Sequence, residues 1–346
     1  MVNVTVVGAA GYAGIEAVRL VLGHPRLRLA AVTSSADAGK AVSAVYPAFR
    51  DVTELEFCLP DVAEIARAST LALLAVPHTA ALALAPQLLD AGVTVVDMSA
   101  DFRFKDPAVY QSWYGVTHTS PELLPEAVFG LPELNRTALP GARLVACPGC
   151  YPTATTLAAF PALAAGVVSS SRVVVDAKSG VSGAGRTASS ATHFVAVNES
   201  VAPYKVATHR HTPEIEQALS SVAGRAMSVV FAPHLVPMTR GLLSTVYLEV
   251  DEGFSGSDAI ELYRSRYADE PFVTVCPAGV MPSTAEVRGT NRAVVGVTVD
   301  ERTRTLIVAC AIDNLVKGAA GQAIQCANAV MGFPETEGLR FLQPVF

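Results

Sequence analysis

The sequence predicts an α/β protein, with a Rossmann-type doubly wound parallel sheet and a second α+β domain whose sheet is largely antiparallel. Three observations carry this. The β-branched run Val2 to Val7 leads into glycines spaced Gly8-x-x-Gly11-x-x-Gly14, then into a helical pattern with Ile15, Val18 and Leu22 on one face. Strand and helix periods then alternate up to Cys150, which calls for parallel strands joined by crossover helices. Beyond Cys150 strand patterns dominate, at spacings that fit hairpins.

Each element has its own signal. Gly23 and Pro25 stop the first helix, and Leu27 to Thr33 forms the second strand of a mononucleotide-binding unit. Leu71 to Val76 and Val93 to Asp97 extend the parallel sheet, with a helix over Thr79 to Ala91 between them. Second-domain strands are expected at Arg172 to Ala177, Met227 to Ala232, Leu243 to Val250, Ala293 to Val299 and Thr305 to Ala311. Asp313 to Met331 reads as a helix rich in Ala and Gly that returns to the first domain. The expected division is 1–148 with 315–346 as the dinucleotide-binding domain and 149–314 as the second. A chain of 346 residues has length for both, at roughly 150 residues per domain.

Composition narrows the function. With 51% hydrophobic and 16% charged residues the chain is globular rather than disordered. A net charge of −6 without a Lys/Arg cluster argues against nucleic-acid binding. Thr70 to Leu89 imitates a membrane span, but Pro77, His78 and Pro86 interrupt it, and a buried strand followed by a helix explains it better. A strand at Val2 leaves no room for a secretory signal, so a soluble cytoplasmic protein is expected, and six irregularly spaced cysteines read as reduced thiols.

The chemistry centres on Cys150. In Ala146-Cys147-Pro148-Gly149-Cys150-Tyr151-Pro152 a strand stops at a Pro-Gly turn and a helix starts just beyond the thiol. N–H groups of a first helical turn favour thiolate, and Pro152 fits that turn without losing a needed donor. Cys147-x-x-Cys150 also fits a dithiol pair, or half of a zinc site with His209 and His211. No second C-x-x-C exists, and Cys276, Cys310 and Cys326 read as core, so no metal is assigned. Thr212 is the expected N-cap of a helix with Pro213 in its first position. His209 and His211 precede it on one face, as general base and acid for the thiol or as a pair satisfied by backbone; His211 is preferred.

An anionic substrate needs local positive charge. Residues 178–211 carry Lys178, Arg186, Lys205 and Arg210 against Glu199 alone. Ser179, Ser182 and Gly183 lie on a glycine-serine loop that can present N–H groups to an anion or serve as a flexible connection. Arg103 follows an apolar strand at the sheet edge where ligands collect, and is the expected phosphate reader. Gly8, Ala10, Gly11, Tyr12, Ala13 and Gly14 would let a pyrophosphate approach the backbone. After the second strand Ser34, Ser35 and Lys40 stand where an acidic ribose reader is expected, which favours NADP(H) over NAD, with Asp37 as an opposing charge. His24, His78, His118, His193 and His234 read as structural.

The glycine loop, Ser99-Ala100-Asp101-Phe102-Arg103, Pro148 to Thr153, the loop Ser179 to Arg186, His209 to Glu214 and Asp313 to Gln322 together resemble the N-acetyl-γ-glutamyl-phosphate reductase family. Those NADP-dependent enzymes of arginine biosynthesis are similar in plan to aspartate-semialdehyde dehydrogenases, from which the His-Arg-His segment separates them. The resemblance implies that Cys150 attacks a γ-acyl phosphate, expels phosphate and forms a thioester. Hydride from NADPH then yields the semialdehyde, a histidine handles protons and backbone N–H groups hold the oxyanion. It also places Asn314 near the cofactor and makes 149–314 the catalytic and oligomerisation domain of a homodimer or homotetramer. Cys147 stands where the family usually has asparagine, which motivates a reversible Cys147–Cys150 disulfide. An aspartate-semialdehyde dehydrogenase-like acyl-phosphate reductase and a non-catalytic NADP-sensing regulator of the same fold are the rivals.

Overall fold

Apolar runs without alternation build the first sheet. In the computed structural model, which describes residues 1–342, its strands are β1 (Val2–Val7), β2 (Leu27–Thr33), β3 (Phe57–Cys58), β4 (Leu71–Leu74), β5 (Thr94–Asp97), β6 (Val128–Phe129) and β7 (Leu144–Ala146). All pair in parallel, in the order β3-β2-β1-β4-β5-β7-β6. Every residue of β4 is buried, as expected where both faces of a parallel sheet are covered. The direction of winding reverses between β1 and β4, the position at which open α/β sheets bind ligands.

Gly8 turns the chain there with φ +80, and a Cβ on it would stand 2.5 Å from the Ala75 carbonyl oxygen. A Cβ on Gly14 would run into the Gly8 carbonyl oxygen, so the helix Tyr12–Leu22 begins directly behind β1. Its N-cap, Gly11, offers no side-chain bond to the first-turn N–H groups. This unit comprises Met1–Pro148 and Ala319–Arg340. The returning helix, Gly321–Val330, is buried along its whole length. Its polar side chains bond to neighbouring segments: Asn328 pairs with His24 at 3.0 Å and Gln322 donates to the Gly130 carbonyl at 2.9 Å.

The second unit, Gly149–Gly318, holds β8 (Arg172–Gly180), β9 (Ala202–Pro203), β10 (Ser228–Val236), β11 (Leu242–Glu249), β12 (Val273–Val275), β13 (Ala293–Asp300) and β14 (Thr305–Ile312). The order is β12-β13-β14-β11-β8-β10-β9. Pairing is mostly antiparallel, with β8–β10 and β12–β13 parallel. The helix Cys150–Ala164 packs against β11 and β14 and is buried on nearly every side, although Pro161 interrupts its bonding. The Leu157 carbonyl, which residue 161 would normally satisfy, instead accepts from Tyr267 Oη at 2.5 Å, and Tyr263 Oη reaches the Ala158 carbonyl at 2.6 Å.

Two expectations need correction. Asp313 to Met331 is not one helix: Asp313, Asn314 and Leu315 precede a π-helical turn, Val316–Ala320, before the α-helix Gly321–Val330. The unit boundary accordingly falls at Gly318/Ala319 rather than 314/315, because Gly318 packs on Cys150. Phe341 and Leu342 group with the second unit, and 343–346 of the expected 315–346 stretch lie outside the described residues. Among the described residues no helix is long and apolar enough to cross a membrane.

Replacing Tyr267 with Phe leaves the Leu157 carbonyl without that donor inside the core. The expected loss is about 1–3 kcal/mol of stability, measured by denaturant titration.

Candidate active site

Cys150, the expected nucleophile, is positioned by its neighbours. Gly149 caps the helix in an extended conformation (φ −66, ψ 163), so Cys150 is the first helical residue and its side chain is half-buried. Gly149 N–H donates at 2.8 Å to Oε1 of Glu214, a fully buried carboxylate in the first turn of the helix Thr212–Ala223. A Cβ on Gly149 would collide with the His211 imidazole, Nε2 foremost. On another side of the thiol, a Cβ on Gly318 would stand 2.6 Å from Cys150 Cβ. Glycine is therefore required at both walls of Cys150. The N–H groups of Cys150 and Tyr151 lie in the first turn, which Pro152 follows without a donor of its own.

The two histidines divide in character. His209 Nδ1 accepts the His211 backbone N–H at 3.1 Å, which leaves the neutral ring's proton on Nε2. Its ring stands edge-on to Tyr151, Tyr204 and Phe231, with centroids at 5.6, 5.4 and 5.3 Å. Burial first, then Lys205 and Arg210, push His209 down to about 4. It is a neutral imidazole near pH 7. His211 lies 4.8 Å from it, ring to ring, with its Nε2 edge toward Gly149. His211, not Thr212, occupies the cap position, and Thr212 Oγ1 is buried without a hydrogen-bond partner, which corrects the expected N-cap. Tyr204 Oη donates to Tyr151 Oη at 3.2 Å, and Tyr151 Oη to the His234 carbonyl at 3.3 Å. Burial pushes Tyr204 up to about 12, so this phenol stays protonated.

The anion-binding candidates separate. Ser179 and Ser182 are buried, whereas Gly183, Arg186 and Lys205 are exposed and Arg210 is half-buried. Ser182 Oγ accepts from Asn314 Nδ2 at 2.9 Å, and Asn314 Oδ1 accepts the Gly241 N–H at 2.8 Å. Asn314, expected near the cofactor, thus ties the serine loop within the second unit. Lys178 pairs with Asp176 at 2.6 Å, just outside the window used for the charge count, so its charge is locally balanced. Arg103 is buried, with Nε on the Cys147 carbonyl at 2.7 Å and Nη2 on the Met98 carbonyl at 2.8 Å. These bonds make it a brace between two strand ends.

Cys147 lies in the core. Its thiol is fully buried and faces Cys326; that hydrogen bond first, then burial, hold it well above the ordinary thiol range. Cys276, Cys310 and Cys326 are buried, as core residues.

In the first unit the glycine turn forms a cradle. The Ala10 carbonyl is occupied by Tyr46 Oη at 2.8 Å, while Gly11, Tyr12, Ala13 and Gly14 open the helix. Beyond β2, Ser34 Oγ accepts the Asp37 N–H at 3.2 Å, and Lys40 pairs with Asp37 at 2.9 Å. Ser35 and Lys40 are exposed.

Sequence reading passed over Glu214, Tyr151 and Tyr204. An acid in a first turn is ordinary at a helix start, so only the packing of two helix N-termini shows what Glu214 holds. The adjacency of Tyr151 to Cys150 and of Tyr204 to Lys205 was the available signal for the phenols.

Comparison with known proteins agrees with this division. Residues 3–142 match the family described as semialdehyde dehydrogenase, NAD binding domain, and residues 150–314 match semialdehyde dehydrogenase, dimerisation domain. A protein of Halorhodospira halophila named N-acetyl-gamma-glutamyl-phosphate reductase is 50% identical over 343 residues, covering 99% of both chains. A Geobacter metallireducens protein of the same name is 49% identical over 348 residues, covering 100% of both. Among solved structures, aspartate semialdehyde dehydrogenase II of Vibrio cholerae complexed with ASA aligns with a TM-score of 0.72 at 18% identity, covering 95% of this chain and 98% of that one. The Candida albicans enzyme with NADP gives 0.68 at 14%, with the same coverage. At those identities the structures speak to fold alone.

The neutral His209 has a measurable consequence. Below pH 6.5 an unfolded chain protonates this ring, whereas the folded ring stays neutral until about pH 4, so its contribution to stability is lost as pH falls through that window. Thermal melts of His209→Gln between pH 7 and about 4 should show a shallower loss than wild type; parallel curves would contradict the assignment.

Proposed function

The chain belongs to the semialdehyde dehydrogenase family, among its N-acetyl-γ-glutamyl-phosphate reductases, and from that premise we propose that it reduces N-acetyl-γ-glutamyl phosphate to N-acetylglutamate semialdehyde and phosphate, with NADPH as hydride donor and Cys150 as nucleophile. The observation that carries this is the setting of Cys150 at a helix start, between Gly149 and Gly318, with His211 against Gly149.

In this reading His211 Nε2 takes the thiol proton and Cys150 Sγ adds to the acyl carbonyl. The oxyanion is held by first-turn N–H groups of Cys150 and Tyr151. Collapse breaks the carbon–oxygen bond to phosphate, His211 returns its proton to the departing oxygen, and a thioester remains on Cys150. NADPH, when bound, supplies the hydride that reduces this thioester. The resulting thiohemiacetal oxyanion collapses to the aldehyde, and Cys150 leaves as thiolate. His209, neutral and fixed by its Nδ1 bond, orients the His211 backbone rather than moving protons. Ser179, Ser182, Gly183, Arg186, Lys205 and Arg210 are the groups we assign to the anionic substrate, with the exposed cations supplying the charge.

The dinucleotide fits the first unit's own residues. Positions 8 and 14 exclude a Cβ, and the first turn of the helix Tyr12–Leu22 lacks a side-chain cap, which leaves a backbone cradle for pyrophosphate. Ser35 and Lys40 would contact a 2′-phosphate, with Lys40 held in place by Asp37. A homo-oligomer is proposed through the second unit. Val174 on β8 and Val230 on β10 are 39% and 53% exposed on the sheet face opposite the buried residues of those strands, apolar surface that a second copy would cover.

Phosphate-dependent NADP reduction with N-acetylglutamate semialdehyde should fall at least about 10³-fold in Cys150→Ser; full activity would rule out Cys150 as the nucleophile, and absence of this turnover in the wild-type chain would favour a sensor. Turnover on N-acetylglutamate semialdehyde should exceed that on aspartate semialdehyde, and the reverse order would move the chain to the other reductase. Lys40→Ala should raise KM for NADPH about tenfold, the loss of one charge-assisted bond, and leave KM for NADH unchanged.

A further inference from the structure

We propose that Asp313 is the positioning residue for the Cys150 thiol, one buried carboxylate that fixes both the glycine wall against the nucleophile and the serine loop of the same unit. The inference rests on Cys150 being the nucleophile. Asp313 follows β14 and has no exposed surface. Its Oδ1 accepts from Leu315 N–H at 2.8 Å, Val316 N–H at 3.1 Å and Arg240 Nη2 at 3.2 Å. Its Oδ2 accepts from Gly289 N–H at 2.6 Å and Arg240 Nε at 3.0 Å. A carboxylate offers about four lone-pair sites, so these donors saturate it. Asp313 has no acceptor capacity left for a substrate proton, and its action on catalysis must pass through what it holds.

What it holds is specific. The carboxylate receives the N–H of Val316, first residue of the π-helical turn, while the Asp313 carbonyl receives the Gly318 N–H at 3.0 Å. Turns of this kind are rare and concentrate at functional sites. Gly318 is the residue whose Cβ would stand 2.6 Å from Cys150 Cβ and 3.1 Å from its Cα. A small displacement of the turn therefore displaces the thiol, or opens space into which it can rotate. On the other side Arg240, pinned through both oxygens, precedes Gly241, which has φ +112 and donates to Asn314. The Gly241 carbonyl accepts the Gly180 N–H at 2.8 Å, and Asn314 holds Ser182. The adjacent pair Asp313-Asn314 thus sets the Cys150 wall and the serine loop from one point. Removing the charge while leaving Arg240 in place strands a cation that the site was built to pair.

The test is Asp313→Asn in the full chain, which keeps the shape and puts an NH₂ among the donors. Misplacement of the thiol predicts a fall in kcat of about 10²-fold, with KM for the acyl substrate raised through the serine loop and KM for NADPH unchanged. It also predicts a shift to higher pH of the rate profile for iodoacetamide labelling of Cys150, as the thiol loses register with the first-turn N–H groups. A purely structural role would lower the folded fraction but leave the labelling profile of the folded protein where it is. A folded Asp313→Asn with wild-type kcat and labelling profile overturns the proposal. Should Asp313→Asn not fold, Gly318→Ala pushes on the same wall with the carboxylate intact and must reproduce both effects; wild-type behaviour there also overturns it. Labelling needs no substrate, so a shifted profile in a protein that turns over neither semialdehyde would sink the substrate reading and leave this one standing.

Discussion

The bond from Gly149 N–H to the buried Glu214 carboxylate is the constraint on which the reactive centre depends. A Pro-Gly turn could leave β7 in several directions, and a helix that starts at its nucleophile has no residue before it to fix the thiol's bearing. Glu214 supplies that fix from the first turn of a second helix, so the starts of two helices are joined by one charge-assisted bond. His211 sits at the cap of the second helix and fills the space a Gly149 side chain would need, so the same junction sets the spacing of His211 and Cys150, the groups proposed as acid–base and nucleophile. Glycine at 149 is thus demanded by packing, its φ and ψ being open to any residue.

A second constraint meets this one from the opposite wall. Gly318 belongs to a π-helical turn anchored on Asp313, and it lies against Cys150 as closely as two backbones allow. The helix that carries Cys150 is itself held along its length, since Tyr263 and Tyr267 take carbonyls near Pro161 and Thr155 meets Ser244 at 2.9 Å. The thiol proposed as nucleophile therefore rides on a rigid element, whereas the cations assigned to the substrate ride on an exposed segment that contains positive φ at Gly185, Glu199, Lys205 and Ala207. Rigid chemistry with adaptable charge is the arrangement expected where the reacting atoms need register and the ligand needs only attraction.

Much of this was legible in the residues because the signals were local. The strand-glycine-helix start, the Pro-Gly-Cys turn and the hairpin of β13 and β14 are each written in one short contiguous stretch. What could not be read was contact between distant segments. Lys178 has Asp176 beside it, outside the 178–211 window, and nothing in Ser99 to Arg103 reveals that the Cys147 and Met98 carbonyls lie within reach of Arg103. The Asp313 stretch read as helix because Ala and Gly hide a π turn, whose cause is the carboxylate capturing the N–H groups of Leu315 and Val316. Strands β3, β6 and β9 have two residues each, too few to show a period.

The charges around the histidines carry the last step. Burial is the larger cause of His209's low value, and Lys205 and Arg210 are the smaller. An anion bound between those two cations would offset the smaller causes and leave the larger, so His209 stays neutral with ligand present as well as absent. That neutrality matters for His211. A protonated His209 at 4.8 Å would repel a proton arriving on His211, whereas a neutral ring whose Nδ1 already accepts the His211 backbone N–H adds no charge and removes one rotational freedom. In the proposed acid–base step the aromatic enclosure of Tyr151, Tyr204 and Phe231 thus keeps His209 uncharged so that His211 can carry the proton alone.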